Sequence, residues 1–190
     1  MSAAQELFLK MGYERTTLRD IASHAGLTTG SIYHNFEGKD DIFAMICETG
    51  VASLLRRLRT ARGLAERRSP TERLMALFDA YASFFLEERG YYEIIGQIQA
   101  NPDRLVIHPE KLAGVSAAAT EIIALVAKVV REINPGWDEV TAKEHALLLI
   151  AFAEGLLECN RKRLFHLGGV TSGAVRDLMA RQIERALTAG

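Results

Sequence analysis

Hydrophobic residues recur along this chain at helical spacing, and nowhere do they alternate as in a strand. Residues 2–11 place Ala4, Leu7, Phe8 and Met11 on one face, and Gly12 ends that segment before Tyr13 opens a loop. In LRDIASHAGLTTGSIYHNF, Leu18, Ile21, Ala22 and Ala25 fall at i, i+3, i+4 and i+7. Gly26 supplies a left-handed helix stop, Leu27 is expected to plug the corner, and Thr28 caps a second helix with Ile32 and Phe36 inward. A long helix follows over 40–62, with Ile42, Phe43, Ile46, Cys47, Gly50, Val51, Leu54, Leu55 and Leu58 in register. Ser69-Pro70-Thr71-Glu72 has the serine, proline and glutamate of a capped start and predicts a helix to about Arg89. Shorter or later helices are predicted over 91–100, from His108-Pro109 to about Ile133, and from Asp138 or Thr141 to about His166. A last helix starts at Thr171 or Ser172 and carries Val175, Leu178, Met179, Ile183 and Leu187. The pattern describes an all-α chain: three short helices in residues 1–45, and a body of about six helices in 46–190.

Two short helices joined by a tight turn form a helix-turn-helix. On the second, Gly30, Ser31 and His34 point outward, Tyr33 and Asn35 flank them, and Thr29 stands at the tip. A helix with a small, polar outer face presented N-terminus first suits a DNA major groove. His34 can donate to guanine N7 or O6, and Thr29 can bond a base edge or meet a thymine methyl.

The N-terminal quarter resembles the tetracycline-repressor (TetR/AcrR) family of transcriptional regulators. The resemblance rests on Leu7-Phe8, Gly12-Tyr13, Thr16-Thr17-Leu18-Arg19-Asp20-Ile21-Ala22, Ala25-Gly26, Gly30-Ser31-Ile32-Tyr33, Phe36 and Lys39. It implies a DNA interface of Thr17, Thr28, Thr29, Gly30, Ser31, Tyr33, His34, Asn35 and Lys39, with Thr17, Tyr33 and Lys39 on phosphates. Where the family often has histidine, Asn35 offers an amide that can still donate to a phosphate. The resemblance further implies an effector pocket in the body, for which the aromatic Phe78, Tyr81, Phe85 and Tyr92 are candidates; by composition alone the same residues read as core. It also implies a homodimer built on the two terminal helices. Ala151, Gly155, Leu178 and Ile183 are the candidate contacts. The expected function is repression at a palindromic operator, relieved by a mostly apolar small molecule. The alternative is an all-helical small-molecule-binding protein that no longer reads DNA.

Composition narrows these expectations. The 190 residues are 48% hydrophobic and 25% charged, with a net charge of −1, so DNA affinity must come from a local patch. Through residue 45 four basic side chains face six acidic ones, a balance of −2 that disfavours approach to phosphates. Members of the family usually carry several more residues before the first helix, often basic: either such an arm lies upstream of Met1, or the chain binds DNA weakly and relies on base contacts and dimerisation. The arginines 56, 57, 59, 62, 67, 68 and 73 form a second basic stretch. They read either as a further DNA contact or as a solvated face paired with Glu66 and Glu72. Glu154 and Glu158 read as a solvent-facing edge, with a Glu158–Lys162 pair.

Apolar runs are cut by Lys128, Glu144 or Glu154 before the ~18 residues of a membrane span, and the start lacks an export pattern. A cytoplasmic protein without a membrane partner is expected. Cys47 and Cys159 stand apart as free thiols, and the five histidines lack metal spacing. With no nucleophile elbow, phosphate loop or dinucleotide motif, neither an enzyme nor a cofactor or metal site is expected.

Overall fold

The computed structural model describes residues 2–88, 90, 91, 93, 94, 109–164, 177, 178 and 181–183. The helices are α1 (Ser2–Met11), α2 (Leu18–His24), α3 (Thr29–Tyr33), α4 (Lys39–Leu64) and α5 (Pro70–Glu87). A 3-10 turn at Pro109–Leu112 leads into α6 (Ala113–Ile133), and α7 spans Glu139–Arg161. Residues 90, 91, 93, 94, 177, 178 and 181–183 are also helical. Tyr92 and the remainder of the predicted 91–100 and C-terminal helices lie outside the described residues.

Residues Met1–Ser53 and Glu87–Ala118 form one compact unit, and Leu54–Leu86 with Ala119–Gly190 form a second. The division falls within α4, beyond the boundary at residue 45 read from the pattern, because the first half of α4 belongs to the N-terminal core. Phe8, Tyr13, Ile21, Ile32, Phe43 and Ile94 are buried together there, with Val115 packed against them. Tyr91 closes on α4 where Gly50 lacks a side chain, and its hydroxyl donates to the Cys47 carbonyl at 2.9 Å. Burial pushes the Cys47 thiol up to about 12.

The second unit buries Leu74, Leu77, Phe78, Tyr81, Phe84 and Phe85 of α5, together with Ile122, Val126, Val129 and Val130 of α6. From α7 it takes Ala142, Ala146, Leu149, Ala153 and Leu157. Glu72 completes the capping box at Ser69, accepting from the Ser69 amide at 2.9 Å and its hydroxyl at 2.8 Å. Asp138, and not Thr141, caps α7, accepting the Thr141 N–H at 2.8 Å. That helix stops at Arg161, short of His166, and Arg163 takes a left-handed φ of 57°.

Several sequence expectations change here. Within the helical run Glu110–Ile133 an 18-residue window reaches a mean hydropathy of 1.7, long and apolar enough to cross a membrane by length and composition. Glu121 and Lys128 do not lower that average enough to interrupt it, and the buried Ile122, Val126, Val129 and Val130 also fit a core helix. The arginine partners also differ: Arg59 pairs with Glu121, and Arg73 with Glu132 at 2.6 Å, instead of Glu66 and Glu72. Glu154 is not merely a solvated edge, because it accepts the Tyr81 hydroxyl at 3.0 Å. Glu158 meets Lys162 at 3.2 Å as expected and also Arg161 at 2.6 Å.

Candidate nucleic-acid interface

The core of the N-terminal unit is assembled around an aromatic triad. Phe8, Tyr13 and Phe43 pack with ring centroids 5.0–5.5 Å apart. Tyr13, expected only to open a loop, is buried, and its hydroxyl bonds Asp40. Burial first and the Asp40 carboxylate second raise that phenol above its ordinary range. Gly12 permits the tight exit from α1 at φ 84°, and the buried Thr16 hydroxyl donates to its carbonyl at 2.8 Å.

α2 begins at a closed capping box. The Asp20 amide donates to the Thr17 hydroxyl oxygen at 3.2 Å, and the Thr17 amide donates back to the Asp20 carboxylate at 2.9 Å. The Thr17 bonds hold the Asp20 carboxyl below the usual carboxylate range. Gly26, at φ 66°, then turns the chain. The amide of Leu27 donates to the Ala22 carbonyl at 2.9 Å, but its side chain is 55% exposed and does not plug the corner. The turn bond satisfies the backbone while directing that side chain outward.

Thr28 caps α3 by accepting the Ser31 amide at 3.2 Å, and helical backbone bonds continue to Phe36. Ile32 is buried beneath, so the rest of the helix faces away from the core. Thr28, Gly30, Ser31, Tyr33, His34 and Asn35 are exposed, Tyr33 to 60%, while Thr29 is half-buried and not a free tip. Asn35 donates its amide to the Ser31 carbonyl at 3.0 Å, which fixes its orientation on that surface. The sequence-predicted DNA contacts of α3 are thereby gathered on one short element, with the exposed Thr17 at the start of its partner helix.

Lys39 is placed differently from a free phosphate ligand. Its ammonium donates to the carbonyls of Tyr13, Glu14 and Thr16 at 2.9, 3.2 and 3.3 Å, and lies 4.3 Å from the Tyr13 ring centroid. All three N–H donors are occupied, so a phosphate would have to displace one carbonyl. Lys111, which no local pattern associates with the head, pairs with Asp41 at 2.6 Å and lies 3.7 Å from Glu37. That bond is the first cause holding the Asp41 carboxyl below its ordinary range, with the Glu37 and Gly38 amides assisting. A remote lysine thus offsets part of the acidic balance of the head. Among the described residues, no three His, Cys, Asp or Glu side chains group closely enough to hold a metal ion.

Residues 1–46 match the pattern of bacterial regulatory proteins of the tetR family. That match covers about a quarter of the chain, and the likeness to the tetR family is a property of this N-terminal segment. Over 44 residues it is 50% identical to the transcriptional repressor BepR of Brucella suis, a stretch covering 23% of this chain and 21% of that protein. Over 95 residues it is 32% identical to the repressor KstR2 of Mycolicibacterium smegmatis, covering 50% and 44%. The matched stretch spans less than half the length of either curated relative. In fold, the TetR-family regulator PfmR of Thermus thermophilus aligns with a TM-score of 0.72 and 22% identity, over 99% of this chain and 96% of that one. A TetR-like regulator from Rhodococcus gives 0.72 at 18% identity, over 100% and 93%. These relatives are transcriptional regulators.

In the second unit, the candidate effector residues Phe78, Tyr81 and Phe85 are buried ring against ring, with centroids 6.5 and 4.9 Å apart. They do not line the two described clefts of this unit, whose walls are largely charged. The larger, about 430 Å³, has an alanine floor of Ala124, Ala127 and Ala142 beneath Lys128, Arg131 and Lys143. Tyr92 lies outside the described residues. Of the candidate dimer contacts, Ala151 and Gly155 are exposed on α7. They share its outer face with Leu147, Leu148 and Phe152, which are also exposed. Leu178 is half-buried. Ile183 corrects the sequence reading: at 0% exposure it fills the core of its own chain and offers nothing to a second copy.

Proposed function

We propose that this chain is a cytoplasmic transcriptional repressor that binds a palindromic operator as a homodimer and is released by a mostly apolar small molecule. The carrying observation is the exposed polar face of α3 on a closed, capped helix-turn-helix. Thr29 and His34 read base edges, Thr17 and Tyr33 hold phosphates, and Thr28, Gly30, Ser31 and Asn35 set how closely the backbone docks. Two heads must then meet half-sites about 34–36 Å apart or a multiple of that distance. The apolar outer face of α7 supports pairing of two copies, since contiguous exposed apolar surface of this kind marks an interface.

The effector reading rests on the buried Phe78–Tyr81–Phe85 group, with the Tyr81–Glu154 hydrogen bond as a polar handle among apolar walls. An effector that separates these rings shifts the population toward a state with the wrong head spacing. Replacing Thr29 and His34 together by alanine should relax sequence preference while largely preserving non-specific affinity. Binding to a selected operator and to random DNA, measured by fluorescence anisotropy at several salt concentrations, tests this division. Equal losses on both DNAs would overturn it, and no DNA binding by the unaltered chain would leave the small-molecule-binding alternative.

A further inference from the structure

The last turns of α4 carry Arg59 and Arg62, and the first turn of α5 carries Arg73. With Gly63, Glu66 and Leu125 they line a cavity of about 200 Å³. Arg59 is paired with Glu121 and Arg73 with Glu132, but Arg62 has no ion pair among the described residues. Among the described residues, the buried Nε–H groups of both Arg62 and Arg73 have no hydrogen-bond acceptor. Leaving two charged donors unsatisfied is costly, whereas guanidinium forks match the oxygens of an oxyanion. The one carboxylate lining the cavity, Glu66, is an acceptor and would repel an anion unable to donate a proton to it.

We propose that this cavity is a phosphate site, in which Arg62 and Arg73 bind the oxygens and Glu66 accepts the remaining P–OH. At about 200 Å³ the cavity has room for a phosphate group. The occupant is inorganic phosphate or the phosphoryl end of a phosphomonoester, since both present an oxyanion to the arginines and can carry a P–OH for Glu66. Sulfate, which carries no proton at neutral pH, matches the arginines but not Glu66.

The test uses the full chain in thermal-shift titrations and calorimetry at constant ionic strength, with phosphate, glycerol phosphate, sulfate and chloride. Saturable stabilisation by phosphate, absent with chloride and weaker with sulfate, is expected. Arg62→Gln should weaken phosphate binding at least about tenfold, the loss of one charge-assisted contact. Glu66→Gln should erase the preference over sulfate. Glycerol phosphate binding as tightly as phosphate identifies a phosphomonoester site, and binding only of the free ion identifies an inorganic phosphate site. Gly63 provides a check independent of arginine loss, since no atom lies within 4 Å of a Cβ built there. Gly63→Glu should abolish the phosphate response by placing a carboxylate at the cavity, while Gly63→Ala should keep it. Equal stabilisation by phosphate and chloride, or an undiminished response in both Arg62→Gln and Gly63→Glu, would overturn the site.

Discussion

Lys39 closes the N-terminal core. Its three carbonyl bonds and its place over Tyr13 tie the start of α4 to the loop before α2. Lys39→Ala should therefore cost about 1–3 kcal/mol of stability, the range for a lost charged hydrogen bond in a partly buried setting. Urea unfolding in the absence of DNA measures it, and an unchanged midpoint would show the ammonium to be free. Glu158 illustrates the opposite sign of charge. Arg161 first, and Lys162 after it, hold its carboxyl down to about 2 from an ordinary 4.5. A depressed carboxyl contributes stability that is fully present above about pH 4.5 and is lost as pH falls toward 2. Thermal melts of the unaltered chain and Glu158→Gln should thus differ at neutral pH and converge on acidification. The difference should be small because the pair is partly solvated. A gap that persists at pH 2 would contradict the assignment.

At the scale of elements, helix starts were the legible part of the sequence. Thr17, Thr28 and Ser69 cap where their hydroxyls and following residues predict, because capping is a contact over three residues. Distant partners were not legible. The pairs Arg59–Glu121, Tyr81–Glu154 and Lys111–Asp41 depend on how helices cross, which local spacing does not encode. The outer surface of α3 followed from periodicity, whereas the fixed Lys39 ammonium and the buried Ile183 followed only from packing. Gly50 is a further case: it reads as one more helical position, but a Cβ there would stand 1.8 Å from the Tyr91 ring. Gly50→Ala should destabilise the chain by about 1–3 kcal/mol through overpacking, despite the better helix propensity of alanine. Combining it with a smaller residue at Tyr91 should recover part of that loss in equilibrium unfolding. Additive losses would show that the two do not meet.

For the whole molecule, assembly is the property most open to direct test. Gly155 faces open space in the single chain, so arginine there can be accommodated without disturbing its own fold. On the proposed dimer face the same charge would be buried without a partner, costing several kcal/mol. Gly155→Arg should keep its helical circular dichroism, run as a monomer in light scattering, and lose operator binding; a stable dimer would exclude this face. The N-terminal unit has a consequence of another kind, one of timing during synthesis. Ile94 belongs to its core, Val115 packs on that core, and Lys111 pairs with Asp41, yet all three are made long after Phe36. At ~5–20 residues per second, Val115 is added roughly 4–16 s after Phe36. During that interval the nascent reader lacks the side chains that complete it, and its apolar surface is a natural client for chaperones. A chain halted near residue 60 should expose that surface and be cleared by proteases, even though every proposed DNA contact has already been translated.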